Sequence, residues 1–388
     1  MDKDYPHAII LVMSETVLDA ERQQQAKVYA RIQRRLMLVD LALGAIYVIA
    51  WLVFGLSAAL KGALLEWTTN EWLLVIAYGL VFGAGIILLD LPLSYYSGFI
   101  LPHRFGQSNQ TIKGWVSDQV KSLLLGGLLG GFVLEVVYAL LRASPGLWWL
   151  WVAGFLLLFN VILSNLAPVL LFPLFYKFEP LEDEQAELAG RLMRLSERAG
   201  ARVRGVYRFD MSRRTKAANA ALTGLGNTRR ILLGDTLLDE FTHDEIETVL
   251  AHELGHHVHK DIPLGIVVET ILTMVGLYLA SLILLWGAAA LGFSGPADIA
   301  ALPVLALAMG AYGLITMPLG NAFSRWRERR ADEYALSATG KGEAFASALT
   351  RLANQNLADA DPEPWVEFLL YSHPALNKRI EMARSSTI

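Results

Sequence analysis

The chain has 388 residues, 54% of them hydrophobic and 18% charged, where an ordinary soluble domain carries ~25% charged. Its formal charge is −4 and it has no cysteine, so it offers no overall basic field for nucleic acid, no disulfide, no thiol nucleophile and no cysteine-ligated metal. Disorder, a disulfide scaffold and a nucleic-acid partner are excluded, and the two or three soluble domains suggested by length give way to a membrane protein.

Residues 1–36 are polar and end in Arg31, Arg34 and Arg35, which reads as a cytoplasmic helical segment. The apolar run 8–13 is too short for a cleavable signal. Uncharged apolar blocks follow at 41–60, 72–89, 143–176, 270–297 and 299–324, with a further block at 122–141 broken only by Glu135. A bilayer core of ~30 Å needs about 20 apolar residues as helix, so these blocks predict six transmembrane spans. The alternative for any one of them is a buried core helix. The 143–176 block is too long for one straight span, and Pro168 and Pro173 predict a kink or an exit from the membrane near 168.

The basic residues set the expected orientation. Lys3, Arg22, Lys27, Arg31, Arg34 and Arg35 precede the first span, and Arg104, Lys113 and Lys121 follow the second. The loops after the first, third and fifth spans carry Lys61, Arg142 and no basic residue. This asymmetry predicts both termini and both large polar parts on the cytoplasmic side. The expected division is 1–36, the cytoplasmic segment; 37–176, spans one to four; 177–261, the first polar part; 262–323, a membrane hairpin; and 324–388, the second polar part. The two polar parts together suffice for one soluble domain.

Within the first polar part, 242–260 reads as a helix with Thr242 and Glu245 at capping-box spacing. It contains His252-Glu253-Leu254-Gly255-His256. Residues four apart share a helix face, so both imidazoles can bind one metal ion, and Glu253 can then reach the attacking water. Histidine ligands suit Zn²⁺. His259 would be carried along the axis away from a metal held by 252 and 256, so His257 and His259 are expected at solvent or the membrane interface. The better third ligand is Glu328, with Asp332 four residues on to accept a hydrogen bond from the far nitrogen of a ligating histidine. Two membrane blocks separate His256 from Glu328, and a hairpin returns the chain to the side it left. On spacing alone, Glu328 serves equally as a solvated residue among Arg325, Arg327, Arg329 and Arg330.

Further motifs accompany this set: FGQSNQT at 105–111, NLAPVLLFPLFYKFEPL at 165–181, Ala218-Asn219-Ala220 with Thr223-Gly224-Leu225-Gly226, and Tyr371-Ser372-His373-Pro374 with Arg379. In this order, and with the 14–36 stretch, the chain resembles the type I CAAX prenyl endoproteases and, more distantly, the bacterial heat-shock membrane proteases. The resemblance implies a mainly α fold, a polytopic helical barrel enclosing a chamber, with a cytoplasmic-side gluzincin-type metalloprotease domain containing a small β-sheet. It implies one Zn²⁺ on His252, His256 and Glu328, Glu253 as general base, Asp332 behind the ligands, and His373 and Arg379 stabilising the tetrahedral intermediate. Asn219 and its neighbour Ala220 would lie on an edge strand beside the substrate. The strand expected at 230–234 would offer substrate such an edge. Eukaryotic members have seven spans, and the span without a counterpart among these six corresponds to the first.

The expected activity is peptide hydrolysis on CAAX-type or related membrane-associated substrates, prenylated chains among them. The alternative within that activity is broad quality control of membrane proteins. The acids at Glu135 and Glu269 are expected to line the chamber, and Asp40 and Asp90 to sit at the membrane interface. A transporter would leave the His/Glu/Asp set without a role, and a non-catalytic metal scaffold would not need Glu253.

Overall fold

The computed structural model describes residues 17–181, 183–224 and 229–386. Residues 1–16 of the expected cytoplasmic segment, Lys3 included, and Leu225 and Gly226 of the quoted motif lie outside the described residues.

Helix α1 (Ala20–Val53) starts at Asp19, whose side chain accepts from the Arg22 N–H. It runs unbroken from the polar segment into the first apolar block, so there is no break at the boundary expected after 36. That block is interrupted instead by Gly55, whose φ of 68° lies in the left-handed region that glycine adopts without strain. A separate helix, α2 (Leu56–Trp67), begins there. Helices α3 (Glu71–Arg104), α4 (Ile112–Ala143) and α5 (Trp148–Phe175) follow. Where Pro168 removes a backbone donor, α5 widens into a π turn over Ala167–Leu171.

The chain then builds β1 (Phe178–Pro180), α6 (Ala186–Arg198), β2 (Val206–Phe209), β3 (Ala220–Thr223), β4 (Arg230–Gly234), α7 (Asp235–Glu240) and α8 (His243–Val258). The strands form one sheet in the order β1-β2-β4-β3, with β2 and β4 parallel and the outer pairs antiparallel. The 230–234 segment is thus an inner strand, contrary to the expectation that it presents an edge. Its Ile231, Leu232 and Leu233 are buried, as suits a strand paired on both sides. The free edge next to it belongs to β3.

Helices α9 (Asp261–Ala290) and α10 (Leu302–Thr339) form the second membrane hairpin, and α11 (Gly342–Gln355), α12 (Pro364–Leu370) and α13 (Leu376–Ser385) complete the described chain. Among the described residues six helices are long and apolar enough to cross a membrane: α1, α3, α4, α5, α9 and the helix through 299–339. The last continues straight past 324 into the polar part, so a membrane span and the expected third ligand share one helix.

Two apolar cores result. One joins Leu188, Leu192 and Leu195 of α6 to Ile231 and Leu233 of β4, Leu250 and Leu254 of α8, and Phe345 and Leu349 of α11. The other packs Tyr78, Tyr138, Trp148, Leu277, Leu284 and Val304 among the membrane helices. Beside the second core, Lys61 pairs with Asp298 at 2.7 Å and ties α2 to the turn before α10.

Candidate metal centre

Helix α8 opens with a capping box. Thr242 accepts from the Glu245 N–H at 3.3 Å, and Glu245 accepts from the Thr242 N–H at 2.8 Å. The helix then packs along α10, and Gly255 permits the approach: a Cβ there would lie 2.8 Å from the Ala331 Cα. This contact brings the α8 histidines to the carboxylates of α10.

His252 and His256 stand with ring centroids 4.9 Å apart. The His252 Nε2 lies 3.3 Å from one oxygen of Glu328, and the His256 Nε2 lies 3.4 Å from the other. One ligand atom from each of the three residues falls within 4.8 Å of the others. Glu328 is buried, and its Oε2 has no hydrogen-bond partner among the described residues. A buried carboxylate oxygen facing imidazole nitrogens without a bond is costly unless a cation completes it. Two imidazoles and one carboxylate with an open fourth position match a tetrahedral catalytic zinc site.

The far nitrogens are also held. The His252 Nδ1 lies 2.8 Å from Asp332, and the His256 Nδ1 lies 2.8 Å from Asp261. Each carboxylate accepts the Nδ1 proton and leaves Nε2 free for a metal. Asp332 stands one turn beyond Glu328 on α10. Asp261 was not among the residues singled out from the sequence. It opens α9 after Lys260, whose φ of 56° turns the chain back on itself. The signal available was an acid five residues beyond the second histidine. Arg379 forks onto Asp332 with bonds of 2.8 and 2.7 Å. Burial opposes its charge, but the Asp332 carboxylate raises its pKa further.

A cavity of about 850 Å³ reaches this centre, lined by His252, Glu253, His373, Arg379, Asn219 and Ala220 among others. Burial pushes the Glu253 carboxyl above its usual range, against the pull of His252 and His256. The His373 Nε2 lies 3.4 Å from Glu328. Ala220 opens β3, while Asn219 stands one residue before it and accepts the Gly234 N–H at 2.9 Å. His259 lies 3.3 Å from the Arg330 carbonyl through Nε2 and packs edge-on to Tyr334. It is half-buried between α8 and α10, where a solvent or membrane-interface position was expected, because α8 ends flush against α10. Glu135 and Glu269 do not line this cavity. Both Glu135 oxygens are buried without a hydrogen-bond partner among the described residues, and Glu269 is exposed on α9.

Residues 12–177 match the model of the CAAX prenyl protease N-terminal region, described as five membrane helices. Residues 182–387 match peptidase family M48. CAAX prenyl protease 1 of Saccharomyces cerevisiae is 32% identical over 76% of this chain and 68% of that protein. An uncharacterized metalloprotease of Bacillus subtilis, YhfN, is 28% identical over 92% of this chain and 84% of that one. The crystal structure of S. mikatae Ste24p superposes with a TM-score of 0.84 at 26% identity, over 96% of this chain and 91% of that one.

Proposed function

The chain belongs to peptidase family M48, and from that membership we propose how its residues divide the work of a membrane metalloendopeptidase. The chain is a multi-pass membrane protease acting on peptide or protein substrates. We assign zinc as its ion, held by His252, His256 and Glu328, with Asp332 and Asp261 orienting the two imidazoles. The observation that carries this is the buried Glu328 carboxylate, one oxygen facing the His252 Nε2 without a hydrogen-bond partner among the described residues and the other facing the His256 Nε2, beside a cavity that Glu253 also lines.

A zinc ion held by His252, His256 and Glu328 would supply Lewis acidity, enough to bring the pKa of a bound water toward ~7. Glu253 takes the proton of the attacking water and returns it to the leaving amine, and its raised pKa suits both transfers. His373 and Arg379 stabilise the oxyanion. Substrate backbone adds to the free edge of β3, where Ala220 offers its outward backbone groups and Asn219 lies beside the peptide. The polar parts 177–261 and 324–388 form one protease domain on the cytoplasmic side, flanked by the segment 1–36, the spans in 37–176 and the hairpin 262–323.

We assign the substrates as prenylated CAAX-type chains, on the names of the yeast relatives. The test is cleavage in detergent of a farnesylated CAAX peptide and its unprenylated twin, with and without a zinc chelator, and with Glu253→Ala as control. Chelator-sensitive cleavage of the farnesylated peptide, abolished in Glu253→Ala while zinc stays bound, is the expected result. Equal cleavage of the twins overturns prenyl dependence and favours broad quality control. Cleavage by Glu253→Ala at the parental rate overturns its role as base.

A further inference from the structure

The row of outward backbone groups that leads into β3 is closed just before the strand begins. The Gly234 N–H donates to the Asn219 carbonyl, so Asn219, Ala221 and Thr223 turn their backbone groups toward β4. The residues between them turn theirs the other way. At Ala218 that outward pair is taken: its N–H donates to the Asn356 Oδ1 at 2.8 Å, and its carbonyl accepts from the Asn356 Nδ2 at 3.2 Å. Upstream, the Lys216 carbonyl accepts from the Gln355 Nε2 at 2.9 Å and its N–H donates to the Gln107 carbonyl at 3.2 Å. The Arg214 carbonyl accepts from the Asn109 N–H at 3.0 Å. Among the described residues the row is filled from Arg214 to Ala218 and first opens at Ala220, which lines the same cavity as His252 and Glu253.

Asn356 is held for this task. It caps α11, its N–H bonded to the Leu352 carbonyl at 2.9 Å. The next residue, Leu357, has a φ of 51°, a conformation that bulky side chains rarely adopt, and the Ala358 N–H returns to the Ala353 carbonyl at 3.0 Å. Glycine usually occupies such a position. Here a buried leucine locks the turn that aims the carboxamide at Ala218.

We infer that Asn356 sets the register of the substrate: its carboxamide imitates the last backbone pair of an added strand, so a peptide pairs with β3 from Ala220 onward and cannot slide toward Ala218. Which peptide bond stands over Glu253 is thereby fixed by backbone before any side chain is read. Asn356 is a positioning residue and touches no reacting atom. The inference rests on the proposal above that substrate adds to the edge of β3.

The test uses the zinc-loaded full chain in detergent, a peptide that the parent cleaves, and mass spectrometry of the products. In Asn356→Ala the outward groups of Ala218 are released to pair with peptide. In Asn356→Asp a carboxylate oxygen opposes the Ala218 carbonyl. For both, products cut two residues from the parental bond should rise about fivefold, the worth of one backbone hydrogen bond. Two residues is the step that keeps side chains on the same face. If Asn356→Ala does not fold, Asn356→Asp carries the same expectation. A folded, zinc-loaded variant that cuts only the parental bond, or loses all cleavage in proportion, overturns the inference. Ala220→Pro tests the underlying proposal separately, because it removes the outward N–H at the open end. Lost cleavage with zinc retained supports addition to β3, and unchanged cleavage overturns it.

Discussion

Each metal-site histidine has its Nδ1 against a carboxylate and its Nε2 turned toward Glu328. Without metal, burial works against a charge on His252, but Asp332 and Glu328 raise its pKa to about 9. That proton stabilises the metal-free fold fully below the ordinary histidine value of ~6.5, and its contribution is lost as pH rises through about 9. Zinc must displace it. Apparent zinc affinity, measured by calorimetric titration, should therefore increase between pH 6 and 9 with proton release, then level off; a flat profile would contradict the assignment. His252, Glu253 and His256 were legible in the sequence because i, i+4 spacing is local, and the same spacing suggested Asp332 behind Glu328. Asp261 was not legible. Its reach to His256 depends on the left-handed turn at Lys260, which residue identity does not announce.

Between elements, the decisive contact is α8 on α10. Gly255→Ala would place its Cβ 2.8 Å from the Ala331 Cα and 3.0 Å from the Ala331 carbonyl, backbone that cannot rotate aside. The helices must separate, with an expected loss of about 1–3 kcal/mol from overpacking and weaker zinc binding. Gly310→Ala, with open space around its Cβ, is the control and should leave both unchanged. Thermal unfolding and zinc titration check the pair. The capping box and the metal-binding pattern of α8 were readable from residue types. Which strand forms the sheet edge was not, because 220–223 and 230–234 are both short and largely apolar, and the choice depends on β2 pairing with β4.

For the whole molecule, a chain without cysteine allows orientation to be tested directly. Thr69 lies in the turn between α2 and α3, and Ser385 ends α13. With the protease domain cytoplasmic, a membrane-impermeant thiol reagent should label Thr69→Cys in intact cells and Ser385→Cys only after permeabilisation. The opposite pattern overturns the sidedness drawn from the lysines and arginines. The six long apolar helices and the HExxH helix were determined by the sequence itself, since run length and helical spacing act over neighbouring residues. Tertiary structure alone decided that α1 joins the polar segment to the first span, that Glu328 stands within reach of both histidines, that Asp261 meets His256, and that Asn356 occupies the backbone pair just before β3. Each depends on surfaces far apart in the chain meeting at van der Waals distance, and no local pattern encodes which surfaces meet.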